Sequence, residues 1–398
     1  MPQQLLIADW LLPGPAGQRI RDGAVLVEDD KILAAGPCAD VEPLASPEAK
    51  RRDYPGATIL PGLINCHVHL VFDAGPHPEH ASAAATHTDM AERAQRLLHS
   101  GVTTIRDLGD RDGLAISLRD HLRTAAVSAP RIVASGPPIT VPNGHCWFLG
   151  GQADGEAALR ARVRHNAELG ADVIKVMASG GQITPNSPSM WDSQFSRAQL
   201  AAIVDEATKC GLPVAAHAHG TDAIAAAVDA GAATIEHCTW LRTGGGGYDL
   251  RDDIAERMAE RGVFACVAWP SDWQNFMRRL GPARADLVAK RFAWMVQHGI
   301  SMIPGTDAGV ANSSFDDYAR ALQFYVHLGH RHANVIEMAT TTSARALGLG
   351  HATGQLSAGY AADILIVNGD PLADLDALSR VCLVLAQGRA AEIRHSSP

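Results

Sequence analysis

The chain has 398 residues, 46% of them hydrophobic and 19% charged, with a formal net charge of −9. That length fits one large domain or two smaller ones, and the acidic balance offers no electrostatic footprint for nucleic acid or an anionic membrane. No apolar run approaches the roughly 18 residues that span a bilayer, and the start, MPQQLLIADWLLPGP, lacks the basic n-region of a signal peptide. Seven scattered cysteines without a CxxC read as small buried hydrophobes rather than a disulfide framework, which points to the cytoplasm.

The first 58 residues contain 24-AVLVEDDKILAAG-36, two alternating runs joined by Asp29-Asp30, a hairpin pattern. From residue 59 a different rhythm sets in: a short β-branched run, a loop, then an Ala-rich helical stretch. Strands are predicted over 59–69, 101–109, 131–139, 171–179, 213–219, 233–240, 262–269 and 300–309. Helices between them include 89–100, 155–169, 197–210 and 221–230. Glycines such as Gly170, Gly211 and Gly231 close a helix in the left-handed conformation before the next strand. Eight strands alternating with helices over about 250 residues is the pattern of an α/β fold of the (β/α)8, TIM-like barrel type. A doubly wound open sheet is the alternative, but no Gly-rich phosphate turn follows the first strand. Strand-like runs recur at 363–369 and 381–393. Neither end is large enough to bury a core of its own. Residues 1–58 and 355–398 are therefore expected to assemble one small β-sandwich against a barrel of residues 59–354.

In such a barrel the chemistry sits at the C-terminal ends of the strands. Read in order, those ends carry His67 and His69, Lys175, His217 and His219, His237, and Asp307. Residues i and i+2 of a strand share a face, so His67 and His69 point the same way. In a chain with eighteen histidines such a pair alone means little. With the others it makes a ligand set suited to zinc or a similar divalent ion. A lysine among such ligands is out of place, because its ammonium repels a cation. It fits if CO2 adds to the amine, giving an anionic carbamate able to bridge two metals about 3.5–4 Å apart.

The segments 60-LPGLINCHVHL-70, 172-DVIKVMASGG-181, 215-AAHAHG-220, 235-IEHC-238 and 305-GTDAG-309, with 355-QLSAGYAADILIVNGDPL-372 near the end, resemble the amidohydrolase superfamily over nearly the whole chain. Within it they are most similar to the prolidase-like and imidazolonepropionase-related branch, which includes Xaa-Pro and Xaa-Arg dipeptidases and an ochratoxinase. The resemblance implies a metal-dependent hydrolase with two divalent ions, zinc being the expected metal, that cuts an amide bond in a dipeptide, N-acyl amino acid or related small molecule. His67, His69 and Asp307 would hold the more buried ion and His217 and His237 the more exposed one, with Lys175, as its carbamate, bridging both. A hydroxide shared by the ions would attack the carbonyl, and Asp307 would act as general base and then general acid. His219 would contact substrate or orient His217. His145, in 142-PNGHCW-147, would face the substrate, although its surroundings depart from the family's GGHG pattern. A homo-oligomer is expected by analogy.

Carbamates, lactones and cyclic amides remain open as substrates. A mononuclear deaminase is a weaker alternative, since HAHGTD lacks the glutamate that such enzymes carry after the strand-five histidine. A non-catalytic assembly protein conflicts with retention of every site residue type. Trp147, Trp191, Trp240 and Trp269 read equally as pocket walls or packing. His77, His80 and His87, on the loop after the first strand, are further candidates for the pocket. The Gly/Pro/Ser-rich stretch 179–196 reads as a lid that orders on substrate binding.

Overall fold

The computed structural model of the chain describes residues 3–15, 18–125 and 127–391. Among these, the strands in chain order are β1 (Gln4–Leu11), β2 (Ile20–Glu28), β3 (Lys31–Pro37), β4 (Lys50–Pro61), β5 (Leu63–Val68), β6 (Val102–Asp107), β7 (Arg131–Ala134), β8 (Ile174–Met177), β9 (Val214–Gly220), β10 (Thr234–Leu241), β11 (Phe264–Ala268), β12 (Met302–Gly305), β13 (Ile364–Asn368), β14 (Val381–Ala386) and β15 (Arg389–Ala390). The final expected strand runs to 393, so its last two residues lie outside the described region.

Both ends of the chain enter one seven-stranded sheet, ordered β15-β14-β13-β4-β1-β2-β3. The expected hairpin forms, with Glu28 opposite Lys31 across Asp29-Asp30. The two halves join as a single ladder rather than as two visibly separate layers, because β4 pairs with β1 on one side and β13 on the other. Side chains alternate along these strands with period two. Ile364, Ile366, Leu383 and Leu385 pack with Leu6, Val25, Val27 and Ile59 in a cluster private to the sheet. Leu365, Val367, Val384 and Ala386, on the other face, join the main core.

The strand expected over 59–69 is two strands: Ile59–Pro61 finish β4, and β5 starts at Leu63. From there the chain alternates strand and helix. β5-β6-β7 form one parallel sheet and β8-β9-β10-β11-β12 another. Single parallel bridges, Ile139 to Val176 and Val68 to Ala308, connect the two sheets at both edges. Hydrogen bonds thus link all eight strands in sequence order and return to the first. The intervening helices follow their local sequence. Helix His87–His99 starts on a capping box of Thr86 and Asp89 and buries Met90, Ala94, Leu97 and Leu98 on one stripe. Helix Arg197–Lys209 starts on the same device, Ser196 with Gln199. Among the described residues, no helix is long and apolar enough to cross a membrane.

Asp363 ties the terminal sheet to this body. Its buried carboxylate accepts hydrogen bonds from Thr353 Oγ1 at 2.8 Å, from Gln387 N at 2.8 Å and from Arg131 Nη2 at 3.2 Å. Its own carbonyl accepts from Gly62 N, at the β4–β5 junction. Asp363→Ala strands three donors at once. It is expected to lower stability by about 2–3 kcal/mol, read as a shift in the midpoint of chemical unfolding.

Candidate metal centre

The eight residues singled out from the sequence, His67, His69, His145, Lys175, His217, His219, His237 and Asp307, all line one cavity of about 440 Å³. It opens at the C-terminal ends of the parallel strands, where His67 is the penultimate residue of β5 and Asp307 lies two residues past β12. His217 and His219 come from β9, Lys175 from β8, and His145 from the loop after β7.

Local backbone geometry aims several of these side chains. In a regular strand Glu236 and His237 would face opposite sides. Here His237, Cys238 and Trp240 take φ values of 63°, 47° and 59°, and the β9–β10 register slips between His237 and Leu241. Asp307 has φ 56°. Non-glycine residues seldom occupy that region, and such strain clusters where a side chain must be re-aimed. Two motif glycines act through space rather than through φ. A Cβ on Gly305 would lie 2.6 Å from His67 Cβ, and one on Gly181 would lie 2.3 Å from the His145 ring.

Hydrogen bonding decides which nitrogen of several rings carries the proton. His69 Nδ1 lies 3.0 Å from the carbonyl of Gly109 and His217 Nε2 lies 3.1 Å from that of Gly180. A carbonyl only accepts, so those nitrogens are N–H, and His69 Nε2 and His217 Nδ1 are the nitrogens available as ligands. His67 Nδ1 stands 2.9 Å from Glu236 Oε2, out of hydrogen-bond alignment, and this nearer carboxylate favours the proton on that nitrogen. His67 Nε2 and His69 Nε2 approach Asp307 Oδ1 at 3.4 and 3.3 Å. Two imidazole nitrogens around one carboxylate oxygen are donors of the kind a zinc-type ion takes. Ligands about 2.0–2.1 Å from a tetrahedral ion are about 3.3–3.4 Å apart, which matches the two contacts to Asp307, and the donor set fits a metal in chemistry.

Ligand-type atoms gather in two adjacent groups that share His237. Those of His67, His237 and Asp307 lie within 4.8 Å of one another, as do those of His217, His219 and His237. His219 is therefore within ligand range as well as holding Thr239 Oγ1 through Nδ1 at 2.8 Å. His145 is fixed from behind by Thr184 Oγ1 at 3.1 Å, with its ring 4.7 Å from that of His217. Burial, reinforced by Lys175, pushes His67 down to about 4. Burial likewise pushes His145 and His219 to about 3, so each is a neutral imidazole at pH 7. Burial would raise the Asp307 carboxyl, but His67, His69 and His237 outweigh it and hold Asp307 well below the usual carboxylate range. Lys175 is fully buried, its Nζ has no hydrogen-bond partner, and burial depresses its pKa.

Three charged residues beneath the site escaped the sequence reading. Glu236, on β10, is fully buried against His67. Arg106, on β6, is 3% exposed and donates to Glu236 Oε1 at 2.9 Å. Asp107 accepts from Leu70 N at 2.8 Å and Gly109 N at 3.2 Å, bracing the backbone that anchors His69. The signal that exposes Lys175, a charge inside an apolar strand, is present at Glu236 in TIEHC and at Arg106 in VTTIRD as well.

Other expectations fall outside the pocket. His77 and His80 are exposed and His87 bonds Ser117, and none of the three lines the cavity. Of the four tryptophans only Trp269 is a wall; Trp240 is buried in the main core and Trp147 is 41% exposed. The 179–196 stretch supplies Gln182, Ile183 and Met190 to the lining. A larger cavity of about 670 Å³ lies at the opposite, N-terminal side of β7 among Arg119, Arg123 and Arg131. It has none of the metal-ligand groups found among the described residues.

The chain is 28% identical over 415 residues to the ochratoxinase of Aspergillus niger, covering 93% of this chain and 82% of that protein. It is 26% identical over 387 residues to the imidazolonepropionase of Mesorhizobium japonicum, covering 87% and 86%. The crystal structure of the A. niger ochratoxinase superposes with a TM-score of 0.83 at 27% identity over 98% of this chain and 95% of that one. That of a prolidase complexed with N-methylphosphonate-L-proline superposes with a TM-score of 0.82 at 25% identity over 98% and 99%. Residues 58–391 match the amidohydrolase family; the chain belongs to that family and is a hydrolase acting on amide bonds.

Proposed function

We propose that this protein uses two divalent ions, zinc being the expected pair, to hydrolyse the amide bond of a dipeptide or N-acyl amino acid. The observation that carries the reading is the convergence of His67 Nε2 and His69 Nε2 on one oxygen of Asp307, at 3.4 and 3.3 Å. In this reading the two parallel sheets are one (β/α)8 barrel of residues 59–354, and the ends 1–58 and 355–398 form a composite second domain. His67, His69 and Asp307 would hold one ion and His217 and His237 the other. The buried, partnerless Nζ of Lys175 supports its role as the bridge: CO2 adds to the neutral amine, an N–C bond forms, one proton leaves, and the carbamate is anionic. Bound ions supply Lewis acidity, lowering the pKa of water and polarising the carbonyl. Asp307 takes a proton at its carboxylate and returns it to the leaving amine nitrogen. His145 and His219, both neutral, offer hydrogen bonds to substrate rather than charge.

A dipeptide or N-acyl amino acid carries a free carboxylate, as does the proline unit of the ligand bound by the prolidase relative. Arg279 suits that group. It lines the cavity from helix Trp273–Leu280, one turn beyond Phe276, which packs edge-on against Trp269 at 5.2 Å. Among the lining residues the only other cationic side chain is Lys175. Seven cysteines without a disulfide support a reducing, cytoplasmic setting.

Protein prepared with bicarbonate is expected to contain about two divalent ions per chain, and Lys175→Ala to lose metal and turnover together; full activity with one ion would rule out the bridging lysine. Asp307→Asn should retain a substantial share of the metal while turnover falls by several orders of magnitude, so near-normal turnover would remove it as proton carrier. A screen of N-acyl amino acids and dipeptides, with carbamates and lactones alongside, identifies the substrate. For a carboxylate-bearing hit, Arg279→Met should raise KM about 10- to 100-fold with a smaller change in kcat. The amidated analogue should show no such rise; equal loss on both substrates would rule out the carboxylate contact.

A further inference from the structure

We propose that Glu236, clamped by Arg106, is a positioning residue that fixes the His67 imidazole with Nε2 presented to the ion; this rests on the metal reading above. Glu236 has no freedom to turn. Its Oε1 accepts from Arg106 Nη2 at 2.9 Å and from the Thr234 hydroxyl, which leaves Oε2 to face His67 Nδ1 at 2.9 Å. Arg106 is itself held on two further sides, donating through Nε to the Cys66 carbonyl at 2.8 Å and through Nη1 to Thr234 at 3.0 Å. All three side chains are buried, so no water competes for these bonds.

The arrangement is specific to His67. His69 and His217 set their tautomers against neutral backbone carbonyls, whereas His67 leans on a full negative charge. A carboxylate behind an imidazole both locks the tautomer and raises the basicity of the opposite nitrogen. A bare carboxylate so deep would be costly, and Arg106 offsets it without approaching the ligand nitrogen. The same guanidinium decides another question. Atoms of His67, Glu236 and Cys266 also lie within metal-ligand range of one another, fully buried, but a cation already pairs with Glu236 there. That trio is the floor of the centre rather than a further ion site. The left-handed turn at His237 also finds its reason here, because it lets two consecutive residues, Glu236 and His237, both reach His67: Glu236 at 2.9 Å and the His237 ring with centroids 5.0 Å apart.

The test compares wild type with Glu236→Asp, Glu236→Gln and the double variant Glu236→Gln/Arg106→Gln, which removes both charges together. Each is stripped of metal, melted, and titrated with Zn2+ against a chromophoric chelator; Co2+ spectra report ligand geometry. The double variant and Glu236→Asp should melt cooperatively in the metal-free state. Their affinity for Zn2+ should fall about 10- to 100-fold, and the Co2+ bands should shift. Glu236→Asp, with its charge withdrawn by one methylene, carries the test alone should the glutamine variants not fold. Wild-type Zn2+ affinity and an unchanged Co2+ spectrum in a folded variant would overturn the proposal, leaving Glu236–Arg106 a purely structural pair. A wild-type protein that binds no divalent ion would instead overturn the metal reading, a result distinct from either variant outcome.

Discussion

Six imidazoles, a lysine and a carboxylate share one cavity, and the need to hold each ring in a fixed orientation governs how the surrounding chain is arranged. Each ring needs one nitrogen protonated and turned outward so that the other faces inward unprotonated. For five of the six rings the structure supplies such a partner: Gly109 after β6, Gly180 after β8, Thr184 in the loop beyond it, and Glu236 and Thr239 on β10. A ring without its partner would be free to flip. The rigidity of the parallel strands matters because the partners and the ligands lie on neighbouring strands, and a shift of one would mispair both.

The requirement shows in the backbone. A parallel strand delivers alternate residues to the interior, which suits His67 with His69 and His217 with His219. It does not suit Glu236 followed at once by His237. β10 resolves the conflict with positive φ at His237 and Cys238 and a register slip against β9. The strain is held by surroundings that leave no alternative: Trp240 is fully buried, Arg291 donates to the Thr239 carbonyl at 3.1 Å, and Thr239 holds His219. Asp307 shows the same pattern, with φ 56° and its amide donating to the His67 carbonyl at 2.9 Å. Its carboxylate is thereby held over the two histidines of β5.

How far the sequence could be read follows from which physics is local. Strand periodicity, capping boxes at Thr86 and Ser196, and glycine stops are local, so helices 197–209 and 221–230 match their expected positions within a residue. That these residues share one cavity was legible because each sits at or just past a strand end, a place that sequence marks. Pairing across the chain is not local, which is why the break between β4 and β5 and the continuous terminal ladder emerge only in three dimensions. Glu236, Arg106 and Asp107 were hidden differently. Each looks like an ordinary strand charge until its partner, up to 130 residues away, is seen beside it. His77 and His80 were the reverse case, since their residue types suggest ligands but their loop carries them to the surface.

The two ends of the cavity also differ in what they determine. Its base is polar, buried and tightly cross-bonded, and that geometry sets the reaction class. Its outer wall is mostly apolar and comes from separate segments: Ile183 and Met190 from the loop after β8, Trp269 and Phe276 flanking the start of helix Trp273–Leu280, and Val310 after β12. None of these side chains bonds the base, so substitutions among them leave ligand geometry untouched while reshaping the space for substrate. A wall of this kind grips a hydrophobic side chain through buried area alone, and one methylene in such a pocket is worth only about 1–3 kcal/mol of discrimination. Sharper selection needs polar groups whose partners go missing with the wrong substrate. Polar side chains of this cavity beyond the proposed ligands include His145, His219, Gln182, Asp272, Arg279 and Asn312, and in the proposed reading discrimination among substrates rests on them more than on the apolar wall.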